Sequence, residues 1–156
     1  MKKRLIGHLK SQEIFFLNTI SCFTDADSGF RPDKKMYTIA QHIGHAAETI
    51  EWFVEGVFVR NEFDMNFENY SERVKKYTSF DKCVNYFKEA TAKGIEIIDK
   101  VSDSELLAPI TAQIMTGDPK MDVVWAITDH TAHHRGVLAV YARLLGKVPQ
   151  MPYGEM

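Results

Sequence analysis

The residues of this chain best suited to chemistry are histidines, and they fall in two groups. His130, His133 and His134 lie within five residues of one another, and His42 and His45 form the second group. Each residue of an α-helix turns by about 100°, so His130 and His134 lie one turn apart on the same face. Two imidazoles at this spacing can bind one metal ion. His133 is turned to the other side of His130 and competes for the role.

The helix that must carry the first group is amphipathic. Its apolar stripe consists of Val123, Ile127, Leu138, Tyr141 and Leu145. The three-four spacing of this stripe continues through the gap onto His130 or Thr131 and then onto His134. We therefore expect these histidines on the buried face. A buried imidazole needs a partner for each ring nitrogen, and a metal ion suits a neutral ring.

A second helix, capped by Thr38 and running to about Arg60, must carry the other group. Beside its apolar stripe runs another stripe of His42, His45, Thr49 and Trp52. If the two helices pack together, three or four imidazoles meet at one point. Three neutral histidines leave a fourth position for water or a thiolate, as in catalytic zinc sites. The spacing alone leaves open whether the histidines share a metal or are hydrogen-bonded structural residues.

Three neighbouring side chains have candidate roles. Glu48, one turn after His45, could act as a general base or orient a ligand histidine, and a solvated surface charge is the alternative. Trp52 is placed to form the wall of a pocket. Arg135 is expected to fix a helix contact or chain end, or to hold an anionic substrate from the rim. No HExxH, Glu-x-x-His, phosphate-binding glycine loop or nucleophile pair with a base stands out.

The remaining chain favours an all-α fold in a single domain spanning residues 1–156. Strand signals are nearly absent, and four long amphipathic patterns predict four packed helices. Between them we expect a long ordered loop at 61–78, a short helical turn from Ser102 and an extended piece at 106–115. The expected helices cover residues 3–22, 38–60, 79–101 (capped by Thr78 or Ser79) and, after an Asp118 cap and Pro119, 119–145, ended by Gly146.

The composition limits the partners and the compartment. The apolar fraction is 45 %, the charged fraction 26 % and the net charge −2, so no basic surface suited to nucleic acid is expected. No apolar run is long enough for a membrane span, and the polar residues His8, Lys10, Ser11, Gln12 and Glu13 occupy the region where a signal peptide would be apolar. Cys22 and Cys83 show no CxxC spacing and are expected to be reduced thiols. A cytoplasmic protein is therefore expected.

Two segments carry a resemblance to a known family. Residues Asp129 to Gly136, followed by Tyr141 to Gly146 and Pro149, resemble the C-terminal signature of the DinB-like, YfiT-type family of damage-inducible proteins. Residues Thr38 to His45 look like the second-helix motif of that family, whose final histidine is a metal ligand. The resemblance implies a four-helix bundle with up-down-down-up connectivity, which is often dimeric.

Carried over residue by residue, the resemblance implies that His45, His130 and His134 bind a divalent metal, zinc or nickel. His42 could replace His45 if the helix rotates, and the role of His133 stays open. The function that we expect is a thiol S-transferase acting on a small molecule, with a low-molecular-weight thiol such as bacillithiol as cosubstrate. The alternatives are a metal-dependent hydrolase and a catalytically silent metal-binding bundle of a stress response. A homodimer is expected.

Overall fold

The computed structural model describes residues 1–154, and this part of the chain is helical. The α-helices are α1 (Lys2–Ile20), α2 (Ile39–Glu55), α3 (Phe67–Val74), α4 (Phe80–Lys100), α5 (Asp103–Leu107) and α6 (Val123–Leu144). Short 3₁₀ turns lie at Asp25–Asp27 and Lys120–Asp122, and α2 runs on into a π turn at Gly56–Arg60. No strand forms within residues 1–154, where one isolated bridge joins Pro109 and Pro119. The all-α prediction is confirmed.

The long helices α2 and α4 pack side by side in the same direction. Glu51 of α2 accepts a hydrogen bond from the hydroxyl of Tyr86 at 2.7 Å. One turn further along α2, Glu55 accepts from Lys93 at 2.6 Å, which is also further along α4. Two parallel helices require the chain to return along the length of the bundle between them. The segment from 56 to 79 makes that return.

Helices α1 and α6 form the other parallel pair. The rings of His8 and Trp125 lie 4.8 Å apart, and further along both helices the guanidinium of Arg135 lies 5.7 Å from the ring centroid of Phe15. No helix in the described part of the chain is long and apolar enough to span a membrane.

The two parallel pairs run in opposite directions. Phe16 of α1 stacks on Phe87 of α4 with centroids 4.3 Å apart, while Phe23, beyond the end of α1, contacts Phe80 at the start of α4. The four long helices therefore follow the up-down-down-up order that was expected. Helix α2 therefore runs antiparallel to α6, and this arrangement decides where the histidines meet.

Helix ends agree with the sequence at three positions. Thr38 forms a capping box with Gln41: its hydroxyl accepts from the Gln41 amide at 3.2 Å, and its own amide donates to the Gln41 side chain at 2.9 Å. Ser79, one of the two proposed caps, accepts from the Lys82 amide. Gly146 follows α6 with φ of 72°, a conformation that glycine adopts without strain.

The short helical turn expected from Ser102 is present as α5, whereas other connections differ from the sequence prediction. The expected loop at 61–78 contains α3, and the expected extended piece begins inside α5. Asp118 does not cap α6. Its carbonyl accepts from the amide of Ile110 at 2.8 Å, and Pro119 is extended, with ψ of 138°. The residues that resembled a helix start form this backbone pairing instead, so α6 begins only at Val123.

Candidate metal centre

Three imidazoles from α2 and α6 meet in the bundle. Nε2 of His130 lies 3.2 Å from Nε2 of His45 and 3.2 Å from Nε2 of His134. One potential ligand nitrogen from each ring lies within 4.8 Å of the other two. Helix α6 contributes two rings because they are four residues apart, and the antiparallel packing of α2 places the third opposite them. The three predicted ligands are thus brought together, while ligation itself stays a prediction.

The spacing of these nitrogens suits a metal ion. Two nitrogens bound tetrahedrally at about 2.0–2.1 Å lie about 3.3 Å apart, close to the 3.2 Å separations around His130. Burial lowers the pKa of His45 and His130 to about 4 and that of His134 to about 2, so the rings are neutral near pH 7. Neutral imidazoles present lone pairs, which repel one another unless a proton or a cation lies between them. The residues therefore fit a divalent metal.

The outward-facing nitrogens of two of these rings form no hydrogen bond in the described part of the chain. Nδ1 of His45 and Nδ1 of His130 are buried and have no partner within the described residues. The orientation of His45 is instead set by packing, because its ring lies edge-on to Tyr37 at 5.6 Å and to Tyr70 at 5.4 Å.

His42 lies behind the cluster rather than in it. Its ring is 7 % exposed, and its Nδ1 lies 2.8 Å from Nδ1 of His134, the nitrogen on the far side from the cluster. Nε2 of His42 lies 3.3 Å from the hydroxyl of Tyr141. Between the two α2 histidines left open by the sequence, the structure places His45 in the cluster. His133 is exposed and lies outside it, although its ring centroid is 5.0 Å from that of His134.

An aromatic cavity of about 360 Å³ opens beside two of the histidines. His45 and His130 form one side of it. The remaining lining residues are Tyr37, Thr49, Trp52, Phe53, Phe67, Tyr70 and Ser71. Trp52 thus forms part of a pocket wall, as predicted. No carboxylate is among these lining residues, so the cavity suits an apolar or aromatic group held next to the histidines.

Helix α3 covers this cavity, although the sequence predicted a loop in its place. Its Tyr70 hydroxyl lies 2.8 Å from the hydroxyl of Thr49, and Trp52 donates from Nε1 to the carbonyl of Asp64, just before α3, at 2.9 Å. Val74 is the one buried residue of α3, so the sequence of this helix shows no apolar periodicity from which it could be predicted. The available signal was the cap: the side chain of Asn66 accepts from the amide of Asn69 at 3.1 Å.

Glu48 is buried rather than on the surface, which corrects one of the two interpretations of the sequence. Its carboxylate accepts hydrogen bonds from Arg73 of α3 and, at 3.2 Å, from the hydroxyl of Tyr77. It lines a neighbouring cavity, separated from the aromatic one by Trp52 and Tyr70. A role for Glu48 as a base stays a prediction, but both of its oxygens are engaged, one with Arg73 of α3 and the other with Tyr77 in the connection between α3 and α4.

Arg135 makes the contact to a helix and a chain end that was the first of its expected roles. Its guanidinium lies 5.7 Å from the ring centroid of Phe15 in α1 and 5.6 Å from that of Tyr153 in the C-terminal segment. It lines a cavity against this segment, not the aromatic cavity beside the histidines.

Comparison with known proteins places this bundle in a family. The DinB-like protein YjoA of Bacillus subtilis superposes with a TM-score of 0.73 at 16 % identity, covering 98 % of this chain and 99 % of that one. YfiT of Bacillus subtilis, described as a probable metal-dependent hydrolase with an unusual four-helix bundle topology, superposes with a TM-score of 0.69 at 12 % identity, covering 94 % and 88 %. No curated protein matches the sequence. The sequence model of the DinB superfamily matches residues 15–138, most of the chain, and the protein therefore belongs to the DinB superfamily.

Proposed function

We propose that this protein is a divalent-metal-dependent enzyme whose metal is held by His45, His130 and His134. The observation that carries the proposal is the convergence of three neutral Nε2 atoms, two pairs of them 3.2 Å apart, beside an aromatic cavity. Three protein ligands leave a coordination position free, as in catalytic zinc sites. When bound, a divalent ion supplies Lewis acidity that lowers the pKa of a coordinated water or thiol. We expect zinc or nickel, since both accept imidazole ligands.

The reaction that we propose is the transfer of a low-molecular-weight thiol to an apolar electrophile: a C–S bond forms, the bond from that carbon to its leaving group breaks, and the thiol proton is released to solvent. A water nucleophile benefits from a positioned base, and the residues lining the cavity offer no carboxylate for that task. Glu48, one turn after His45 in α2, is held by Arg73 and Tyr77. A thiol depends less on such a base, because its ordinary pKa of about 8.5 is already close to neutral pH.

The chain's own residues would bind and orient the electrophile. The rings of Trp52, Phe53 and Phe67 make one side of the cavity apolar, so that an apolar substrate can pack against them. The hydroxyl pair of Thr49 and Tyr70 is a polar group in this wall that can hold a polar atom of the substrate. The expected substrate is therefore a largely apolar molecule with a polar atom near its reactive centre.

A hydrolase is the second candidate. The observation that favours it is the likeness of fold to YfiT, described as a probable metal-dependent hydrolase. The third is a metal-binding bundle without turnover, serving a stress response. A homodimer acting in the cytoplasm is part of our proposal for each of the three.

Two measurements on the same protein separate these functions. We expect about one zinc or nickel ion per chain by elemental analysis, and thiol conjugation of an aromatic electrophile above the buffer rate, with bacillithiol, glutathione and cysteine as thiols. Chelation and the His130→Ala/His134→Ala variant should abolish both. The matched control is His8→Ala/His133→Ala, which removes two histidines that lie outside the cluster.

Each outcome has a distinct meaning. Metal-dependent cleavage of esters or amides without thiol transfer would favour the hydrolase. A stoichiometric metal without turnover of either substrate class would favour the silent bundle. A wild-type protein that binds no divalent metal at micromolar concentrations would overturn the proposal.

A further inference from the structure

We propose that His42 and Tyr141 form a positioning relay for one metal ligand, His134. The relay runs from the backbone carbonyl of Tyr37 through Tyr141 and His42, and it sets the tautomer of His134 so that its Nε2 lone pair faces the metal. This inference deepens the proposed function and rests on it. It assigns a role to the buried α2 histidine that lies outside the cluster.

The direction of the relay follows from its first member. The hydroxyl of Tyr141 donates to the carbonyl oxygen of Tyr37 at 3.1 Å, and a carbonyl can only accept. With its single hydrogen used, the Tyr141 oxygen is an acceptor toward Nε2 of His42, 3.3 Å away. Nε2 of His42 therefore carries the hydrogen of the neutral ring, and its Nδ1 carries a lone pair.

The last step sets the tautomer of the ligand. Nδ1 of His42 lies 2.8 Å from Nδ1 of His134, and since the former has a lone pair, the latter must donate. A neutral His134 with hydrogen on Nδ1 has its lone pair on Nε2, the atom 3.2 Å from Nε2 of His130. The opposite direction would place a hydrogen on Nε2 of His134 and block binding there. Hydrogen bonds from the outer nitrogen of a ligand histidine orient the ring and raise its basicity.

The side chains of the relay are buried. The exposed fractions are 7 % for His42, 4 % for His134 and 1 % for Tyr141, so the side chains are largely withdrawn from water. The Tyr141 ring also packs edge-on against His42 at 5.3 Å and against Phe30 at 5.8 Å. Both ring nitrogens of His42 are occupied, which argues against His42 as an alternative ligand.

The relay acts on one ligand of the three. Among residues 1–154, the outer nitrogens of His45 and His130 have no hydrogen-bond partner, whereas that of His134 has His42. We therefore expect His134 to be the ligand whose orientation depends most on a neighbouring side chain, and the removal of His42 to weaken metal binding without removing a ligand.

Zinc affinity, measured by competition with a chromophoric chelator, provides the first test. We expect His42→Leu to weaken zinc binding about 10- to 100-fold. His42→Asn, which keeps an acceptor near the Nδ1 position, should restore most of the loss. Tyr141→Phe should weaken binding less than His42→Leu. Because Tyr141 acts through His42, the double variant His42→Leu/Tyr141→Phe should bind no more weakly than His42→Leu alone. Additive losses would contradict the relay.

Nitrogen-15 spectra of histidine-labelled, metal-free protein provide a readout that packing alone would not move. We expect the hydrogen of His42 on Nε2 and that of His134 on Nδ1, with the two rings assigned through His42→Asn and His134→Ala. The reverse tautomers would overturn the proposal even if a variant failed to fold. Wild-type protein that binds neither zinc nor nickel would defeat the proposed function, whereas wild-type and His42→Leu proteins that bind the metal equally would defeat only the relay.

Discussion

Acid should unfold the metal-free protein through its buried histidines. Burial lowers the pKa of His42, His45 and His130 from 6.5 to about 4 and that of His134 to about 2. The unfolded chain binds protons at these residues below about pH 6.5, whereas the folded chain binds them only near pH 4 or lower. Between these values the unfolded state holds more protons, so the free energy of unfolding falls as the pH falls. Stability from these groups is complete above about pH 6.5.

The size of this loss of stability follows from the difference between the pKa of each histidine in the folded chain and in the unfolded chain. For a histidine with a folded pKa near 4, moving from pH 7 to pH 5 lowers the free energy of unfolding by about 2 kcal/mol. Four such residues set an upper limit of about 8 kcal/mol, since local opening lets the folded chain take up protons earlier. A small domain is stable by about 5–15 kcal/mol in total. Carboxylates titrate near pH 4 in the unfolded chain and hardly contribute to this window.

Urea denaturation followed by circular dichroism measures this loss. We expect the midpoint of chelator-treated protein to fall steeply from pH 7 to pH 5, and about half of the pH dependence to disappear in His45→Gln/His130→Gln. The control variant His8→Gln, which removes a histidine outside the cluster, should keep the pH dependence of the wild type. A midpoint that stays constant or rises between pH 7 and pH 5 would refute the reasoning.

Three further predictions concern α3, helix packing and the aromatic cavity. Arg73→Ala leaves the buried carboxylate of Glu48 without its ion pair and should lower the free energy of unfolding in urea by about 1–3 kcal/mol. Lys75→Ala breaks an exposed pair and should lower it by less than about 0.5 kcal/mol, and equal losses for the two variants would contradict the burial argument. Gly44→Ala would place a methyl group in the Tyr77 ring and should destabilise by about 1–3 kcal/mol, whereas the methyl group of Gly136→Ala meets nothing within 4 Å among residues 1–154 and should stabilise by about 0.5–1 kcal/mol. The reverse order in thermal unfolding would refute the packing. Trp52→Ala should raise KM for aromatic acceptors about tenfold or more with unchanged metal content, and an unchanged KM would place the acceptor elsewhere.

The histidine spacing in α6 could be interpreted from the sequence because both rings lie on one helix. His130 and His134 are four residues apart, and the helical repeat alone puts them on one face. The choice between His42 and His45 could not be made in this way. Both are on the inner side of α2, and its rotation is set by packing against α4 and α6, which no local pattern in the sequence reports.

The cover of the cavity depends on long-range contacts. Helix α3 has few buried apolar residues, so its position comes from the pairing of Arg73 with Glu48 and from the Tyr70–Thr49 hydroxyl pair, 21 residues apart in the chain. Glu48 looked like a candidate surface charge because its partner lies on a different helix. The fold was predictable from periodicity and caps, whereas the surroundings of the site depended on these tertiary pairs.

An anomalous difference map of crystals grown with zinc, recorded at the zinc absorption edge, tests the central claim most directly. We expect one strong peak per chain about 2.0–2.1 Å from Nε2 of His45, His130 and His134, with His42 hydrogen-bonded behind it. A peak bound through His42 or His133 in place of His45, or no peak between α2 and α6, would contradict the account.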